Sequence, residues 1–221
     1  MRKRASEIFA ELREHLPYTV MAALIGVGLM SLMSFEAALT GRQMLLPQAS
    51  RGLFHALHFS HLFVSAIVTT AMFWRHERLL VKTALVGFFG TVIPCGMSDI
   101  LFPYAGGLML GVPMEFHLCV VEHPVLVLPF VLAGVAVGFC LPPVQRSTLF
   151  THTAHVILSS TATMLYLVSF GIADWLRFAA AVFFLLVAAV MVPCCTSDIV
   201  FPLLFTQSNR PPHRHALGRA V

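Results

Sequence analysis

The chain has 221 residues, 58% of them hydrophobic and only 11% charged, with a mean hydropathy of +0.85. A soluble domain of this size carries charge at about a quarter of its positions, so a water-soluble globule is excluded, and the absence of low-complexity tracts excludes a disordered chain. The net charge of +4 is read as a topology signal and not as a nucleic-acid footprint, which leaves an integral membrane protein whose first partner is the lipid bilayer.

In chain order, residues 1–16 read as a cytoplasmic amphipathic segment lying at the interface. A spanning helix needs about 20 mostly apolar residues. Six stretches meet that need: Pro17 to Leu39, Leu53 to Trp74, Thr83 to Pro103, Pro124 to Pro142, Thr148 to Ile172 and Phe178 to Phe205. Residues 207–221 form a polar tail, with His213 and His215 in a basic, solvated context. Placing the N-terminus inside puts eleven of the fourteen Lys and Arg on the cytoplasmic side and only Arg42, Arg51 and Arg177 outside. Both termini are therefore expected in the cytoplasm, in a bacterial-type inner or plasma membrane.

The sequence repeats itself. Pro94 to Pro103 reads PCGMSDILFP and Pro193 to Pro202 reads PCCTSDIVFP, identical at seven of ten positions. Upstream, HFSHLFVSAIVTT from His58 aligns with HTAHVILSSTATM from His152, pairing His58 with His152, His61 with His155, Ser65 with Ser159 and Thr69 with Thr163. Weaker matches join Glu14-His15 to Glu122-His123 and Gly26-Val27 to Gly134-Val135. Each half is thus a three-helix unit, the first over 17–112 and the second over 113–206. Three crossings are an odd number, so the second unit enters the bilayer inverted. The expected fold is an all-α polytopic bundle of six transmembrane helices arranged as a 3+3 inverted repeat.

Prolines 94 and 103, and their counterparts 193 and 202, are expected to break the third and sixth helices, and broken helices at matching places in inverted halves point to a binding site. Asp99 and Asp198 lie inside apolar runs, where a carboxylate costs about 2.5 to 3.5 kcal/mol on insertion scales. A cation or a histidine partner must offset that cost, since no Lys or Arg lies within the spans. His58, His61, Ser65 and Thr69 fall on one inclined stripe of the second helix at spacings of three and four, and His152, His155, Ser159 and Thr163 repeat it on the fifth. A stripe of this kind turns inward, either to bind something or to hydrogen-bond neighbouring helices.

Cys95, Cys194 and Cys195 add soft donors to the histidines and carboxylates. Such a set suits zinc, iron, copper or a similar transition-metal ion, whereas calcium and magnesium prefer oxygen alone. Cys119 and Cys140 read as small apolar fillers. Between the halves, Glu115, His117, Glu122 and His123 cluster on the expected outer side, as an entry site for a cation or as ordinary interfacial polar residues. No nucleotide-binding loop, dinucleotide fingerprint, HExxH or GxSxG motif is present, which leaves ATP-driven transport and those hydrolase classes without support.

The expected function is a small permease for a transition-metal cation, with metal ligands His58, His61, Cys95, Asp99, His152, His155, Cys194, Cys195 and Asp198. Ser65, Thr69, Ser159, Thr163, Glu115, His117, Glu122 and His123 line the substrate path. Proton coupling fits, because imidazoles titrate near neutral pH and metal binding displaces protons. The alternative is a membrane-embedded metalloenzyme or haem or redox protein that keeps its metal, and the third reading is a structural subunit whose polar residues only join helices. A homodimer suits a chain of this size.

Overall fold

The computed structural model describes the backbone of residues 2–140 and 148–195, and the side chains of 13–74, 77–140 and 153–194. Its elements are all helical, with no strand among the described residues. In chain order they are α1 (Arg2–Leu39), α2 (Leu46–His76), α3 (Leu80–Met109), α4 (Pro124–Cys140), α5 (Thr148–Phe170) and α6, which starts in the tight turn Trp175–Phe178 and continues over Ala179–Ala189. Five helical stretches are long and apolar enough to cross a membrane: Arg13–Leu39, Gln43–Trp74, Leu80–Met109, Thr153–Phe170 and Trp175–Cys194. α4 is equally apolar but has 17 described residues, about 25 Å of helix against a hydrocarbon core of about 30 Å. Residues 141–147 lie outside the described part.

α1 runs unbroken through Pro17, so residues 2–16 continue the helix of the first span. One expectation meets a different structure: the third helix does not break at its proline box. Leu80–Gly96 and Phe102–Met109 are α-helical and are joined by a π-helical turn over Met97–Leu101. Proline lacks the N–H that an α-helix would bond and crowds the carbonyl one turn back. A wider turn with one extra residue relieves both defects while the helix continues. A second π-helical turn, Val190–Cys195, contains Pro193. The rest of that box, with Asp198, lies outside the described residues. α1 and α3 do end where the chain supplies glycine: Gly41 and Gly111 have φ of 68° and 74°, and the following amides of Arg42 and Val112 reach back to Ala37 O and Gly107 O at 2.7 and 3.1 Å.

Burial ranks the helices. Within its most apolar window α5 is 78% buried and α2 56%, while α1 and α6 are each 28% buried. α2 and α5, the two helices that carry the repeated histidine pairs, therefore pack on each other at the centre, with α1 against α5 and α4 against α2. The outer helices present Leu24, Leu32, Phe35, Leu85, Phe89, Leu132 and Phe184 outward, as a lipid-facing surface requires.

Small residues set these contacts. A Cβ on Gly134 would stand 2.6 Å from Phe63 O and 2.7 Å from Ala66 Cβ, and one on Gly138 would stand 2.7 Å from Thr70 Cβ and 2.9 Å from Ile67 O. The pair is a Gly-xxx-Gly face that lets the α4 and α2 backbones nearly touch. On the other side, Gly26 of α1 meets the α5 backbone, with its Cβ position 3.2 Å from Ser160 O. Gly26 and Gly134 are matched by the repeat, and so are Ser160 and Ala66. The two outer helices thus use the same glycine against the same position of a central helix.

Alanine at Gly134 or Gly138 forces α4 away from α2. We expect each substitution to lower stability by about 1–3 kcal/mol, read as a lower thermal midpoint in detergent. Gly28→Ala, which meets nothing within 4 Å, is the matched control. Equal midpoints for Gly28→Ala and Gly134→Ala would show that the close approach is absent.

Candidate metal centre

The centre of the bundle is polar because α2, α3 and α5 each turn a polar stripe inward. His58, His61, Ser65 and Thr69 on α2 are all buried, as are His155, Ser159 and Thr163 on α5 and Ser98 and Asp99 in the π turn of α3. The inward stripe expected from helical spacing is present.

Asp99 is fully buried and is the hub. Its Oδ2 accepts from His58 Nδ1 at 2.8 Å and from His61 Nδ1 at 2.7 Å. Its Oδ1 lies 2.8 Å from Ser98 Oγ and 2.9 Å from Ser159 Oγ. Both carboxylate oxygens are therefore satisfied by three different helices, which is what a carboxylate in an apolar bundle requires. Thr163 holds the α3 turn in place by donating to Ser98 O at 3.1 Å. That is a structural task, one of the two roles anticipated for the serines and threonines.

With its Nδ1 committed to Asp99, His61 presents Nε2 to two thiols, Cys95 Sγ at 3.6 Å and Cys194 Sγ at 3.9 Å. The His155 ring lies against His61 with centroids 4.6 Å apart. His61, His155 and Cys194 each place one donor atom within 4.8 Å of the others, and His58, His61 and Asp99 do the same. Five of the nine expected ligand positions thus converge around His61: His58, Cys95, Asp99, His155 and Cys194. The side chains of His152 and Cys195 and the whole of Asp198 lie outside the described residues.

Histidines 61 and 155 are repeat mates and touch. Their contact joins positions of α2 and α5 that the sequence repeat aligns. Ser65 and Thr69 have no hydrogen-bond partner among the described residues. Their mates Ser159 and Thr163 bond Ser98 and Asp99, and the positions matching Ser98 and Asp99 are Ser197 and Asp198, both outside the described part.

The four polar residues between the halves separate into two groups. Glu115 joins Arg51 in an exposed ion pair at 2.6 Å, with the Arg51 guanidinium 4.5 Å over the Phe170 ring. His117, Glu122 and His123 lie instead around His55, a residue the repeat could not flag because its counterpart is Leu149. Its sequence signal was the extension of the three-residue spacing of His58 and His61 by one more step. Tyr166, also unmatched, fastens this loop by accepting from the His117 N–H at 3.1 Å and donating to Glu115 O at 3.2 Å.

His117 has its pKa lowered, chiefly by burial and further by His123, against the opposing pull of Glu122. Burial raises the Cys119 thiol to about 12, which keeps it the protonated filler that the sequence indicated.

Asp99→Ala removes the acceptor of two buried imidazole Nδ1 atoms, those of His58 and His61. The expected loss is about 3–5 kcal/mol, against about 1–3 kcal/mol for Ser159→Ala, measured by thermal unfolding in detergent. A variant ranking with Ser159→Ala equal to or worse than Asp99→Ala would remove Asp99 from the centre of the network. Compared with models of known protein families, with curated protein sequences and with solved structures, the chain matches none, and the chemistry of this site therefore stands on its own geometry.

Proposed function

We propose that the protein is a small permease that carries a transition-metal cation through the membrane by way of the His61-centred site. The observation that carries this reading is the set of nitrogen and sulfur donors, from His61, His155, Cys95 and Cys194, gathered around one point at the junction of the central helices. Imidazole and thiol together suit zinc, Cu(I) or iron in a four-coordinate arrangement.

In this reading Asp99 acts mainly as a positioning residue. Its bonds to the Nδ1 atoms fix ring orientation and leave Nε2 to bind metal, as carboxylates do behind metal-binding histidines elsewhere. The cation must shed protons from imidazole and thiol on binding, so its passage is coupled to proton release and its affinity falls as pH drops.

The framework we propose is six spans in a 3+3 inverted repeat, with α4 as the fourth span and both termini cytoplasmic. The His61–His155 contact and the matched glycine contacts at Gly26 and Gly134 support it. So do contacts between helix ends: Trp175 Nε1 at the start of α6 bonds Ser34 Oγ near the end of α1 at 3.0 Å, and Glu115 of the 110–123 loop pairs with Arg51 near the start of α2 and bonds Phe170 O at the end of α5. By the repeat, His152, Cys195 and Asp198 provide the second half's share of the site, and Ser65, Thr69, Ser159 and Thr163 line the route. Rocking of the two halves about α2 and α5 would open the site alternately to each side. A homodimer would leave this site within each subunit.

Proteoliposomes loaded with a zinc-sensitive dye test the proposal. Saturable zinc uptake is expected for the natural chain, with uptake abolished by His61→Ala and Cys194→Ser. Asp99→Asn, which keeps shape but loses charge, should weaken apparent affinity by about 10–100-fold. Metal that stays bound through purification and dialysis, with no uptake of zinc, iron or copper, would point to a fixed redox or catalytic centre.

A further inference from the structure

The end of the bundle that holds the 110–123 loop carries a second constellation, separate from the buried centre. His55 Nε2 and His117 Nε2 are 2.9 Å apart. The His55 ring centroid is 5.1 Å from that of His117 and 5.3 Å from that of His123, and the His117 and His123 centroids are 5.3 Å apart. One nitrogen from each lies within 4.8 Å of the other two. Nitrogens bound to one zinc ion at 2.0–2.1 Å stand about 3.3 Å apart in a tetrahedron, so small ring movements complete the geometry.

The surroundings are built for ligation. His117 is 5% exposed, and its Nδ1 is 2.7 Å from Glu122 Oε2. The other Glu122 oxygen accepts from the Leu118 N–H at 3.1 Å, so the carboxylate is held at both ends. Glu122 therefore orients His117 and turns its Nε2 to the centre, the arrangement found behind metal-binding imidazoles. Tyr166 holds the His117 backbone, and the Phe170 ring stacks on His117 at 4.8 Å. His55 and His123 are half-buried, which leaves the cluster reachable from outside. Three imidazoles facing one another have little to gain structurally from that arrangement, since two neutral rings share one proton and the third adds none.

We propose that His55, His117 and His123 form a distinct site for a borderline divalent cation such as zinc, with Glu122 as its positioning residue and a fourth position open to water. The donor set is all nitrogen, whereas the buried site contains thiols. An open fourth position favours exchange over permanent retention. His55 lies on the same helix as His58 and His61, about 4.5 and 9 Å away along the axis, and His58 borders a small cavity that Leu118, next to His117, also lines. The service of the outer site as a loading point rests on the permease reading; its occupancy by a cation does not.

The test is titration of the detergent-purified full chain with Co²⁺ and Zn²⁺, followed by absorption spectroscopy and calorimetry. Two equivalents are expected, one with the sulfur-to-cobalt charge-transfer band of a thiolate ligand and one without it. In the double variant His55→Ala/His123→Ala, one equivalent should be lost while the charge-transfer band remains. In the double variant Cys95→Ser/Cys194→Ser the band should vanish while a nitrogen-ligated tetrahedral cobalt spectrum persists. Unchanged stoichiometry in the histidine variant, or no such cobalt spectrum in the cysteine variant, overturns the outer site. A natural chain that shows the outer equivalent but no charge-transfer band leaves this proposal standing and counts only against the buried one, and uptake results bear on neither equivalent.

Discussion

A carboxylate enclosed by apolar helices has to be met by donors from every side, and at Asp99 that requirement organises the interior. Four donors from α2, α3 and α5 reach its two oxygens. Two of these bonds come from α2, one from α5 and one from Ser98 beside Asp99, so the rotation of α2, the widened turn of α3 and the register of α5 are mutually constrained. The positions of His61 Nε2 and the two thiols follow from those three settings. In a dielectric far below that of water such a network is stiff, because any member that swings away leaves an unpaired polar group behind.

The π turn is the local device that makes this possible. A straight α-helix carrying Pro94 and Pro103 would crowd two carbonyls. The extra residue in Met97–Leu101 absorbs that crowding and places Ser98 and Asp99 side by side at the junction, Ser98 within reach of α5 and Asp99 within reach of both α2 and α5. Glycine does the complementary work outside the junction. Gly26 and Gly134 bring the flanking helices close enough that the central pair is shielded from lipid, which keeps the interior dry and its electrostatic interactions strong.

The two halves share a plan and differ at one end. The contacts of Gly26 and Gly134, and of His61 with His155, follow the repeat. The imidazole cluster of His55, His117 and His123 does not, because it takes one member from a helix position that is leucine in the other half and two from the linker that joins them. The polar chemistry of the bundle therefore follows the repeat at its centre and departs from it at the end that holds the 110–123 loop.

Composition and spacing alone determined the membrane-like helices, the all-helical architecture, the inward stripes of α2 and α5 and the choice of His58, His61, Cys95, Asp99, His155 and Cys194 as residues that lie close together. These are properties of local periodicity and of internal repetition, both of which are written along a single strand of text. Three features were decided only by tertiary structure. The proline box widens instead of breaking, because neighbouring helices hold its polar groups and make continuity the lower-energy choice. Glu115 pairs with Arg51 and leaves the imidazoles to Glu122, because loop 110–118 is fastened by Tyr166 in one register. His55 joins His117 and His123 across more than sixty residues of chain, a proximity that depends on how α2 and the linker pack and that no spacing within either segment encodes.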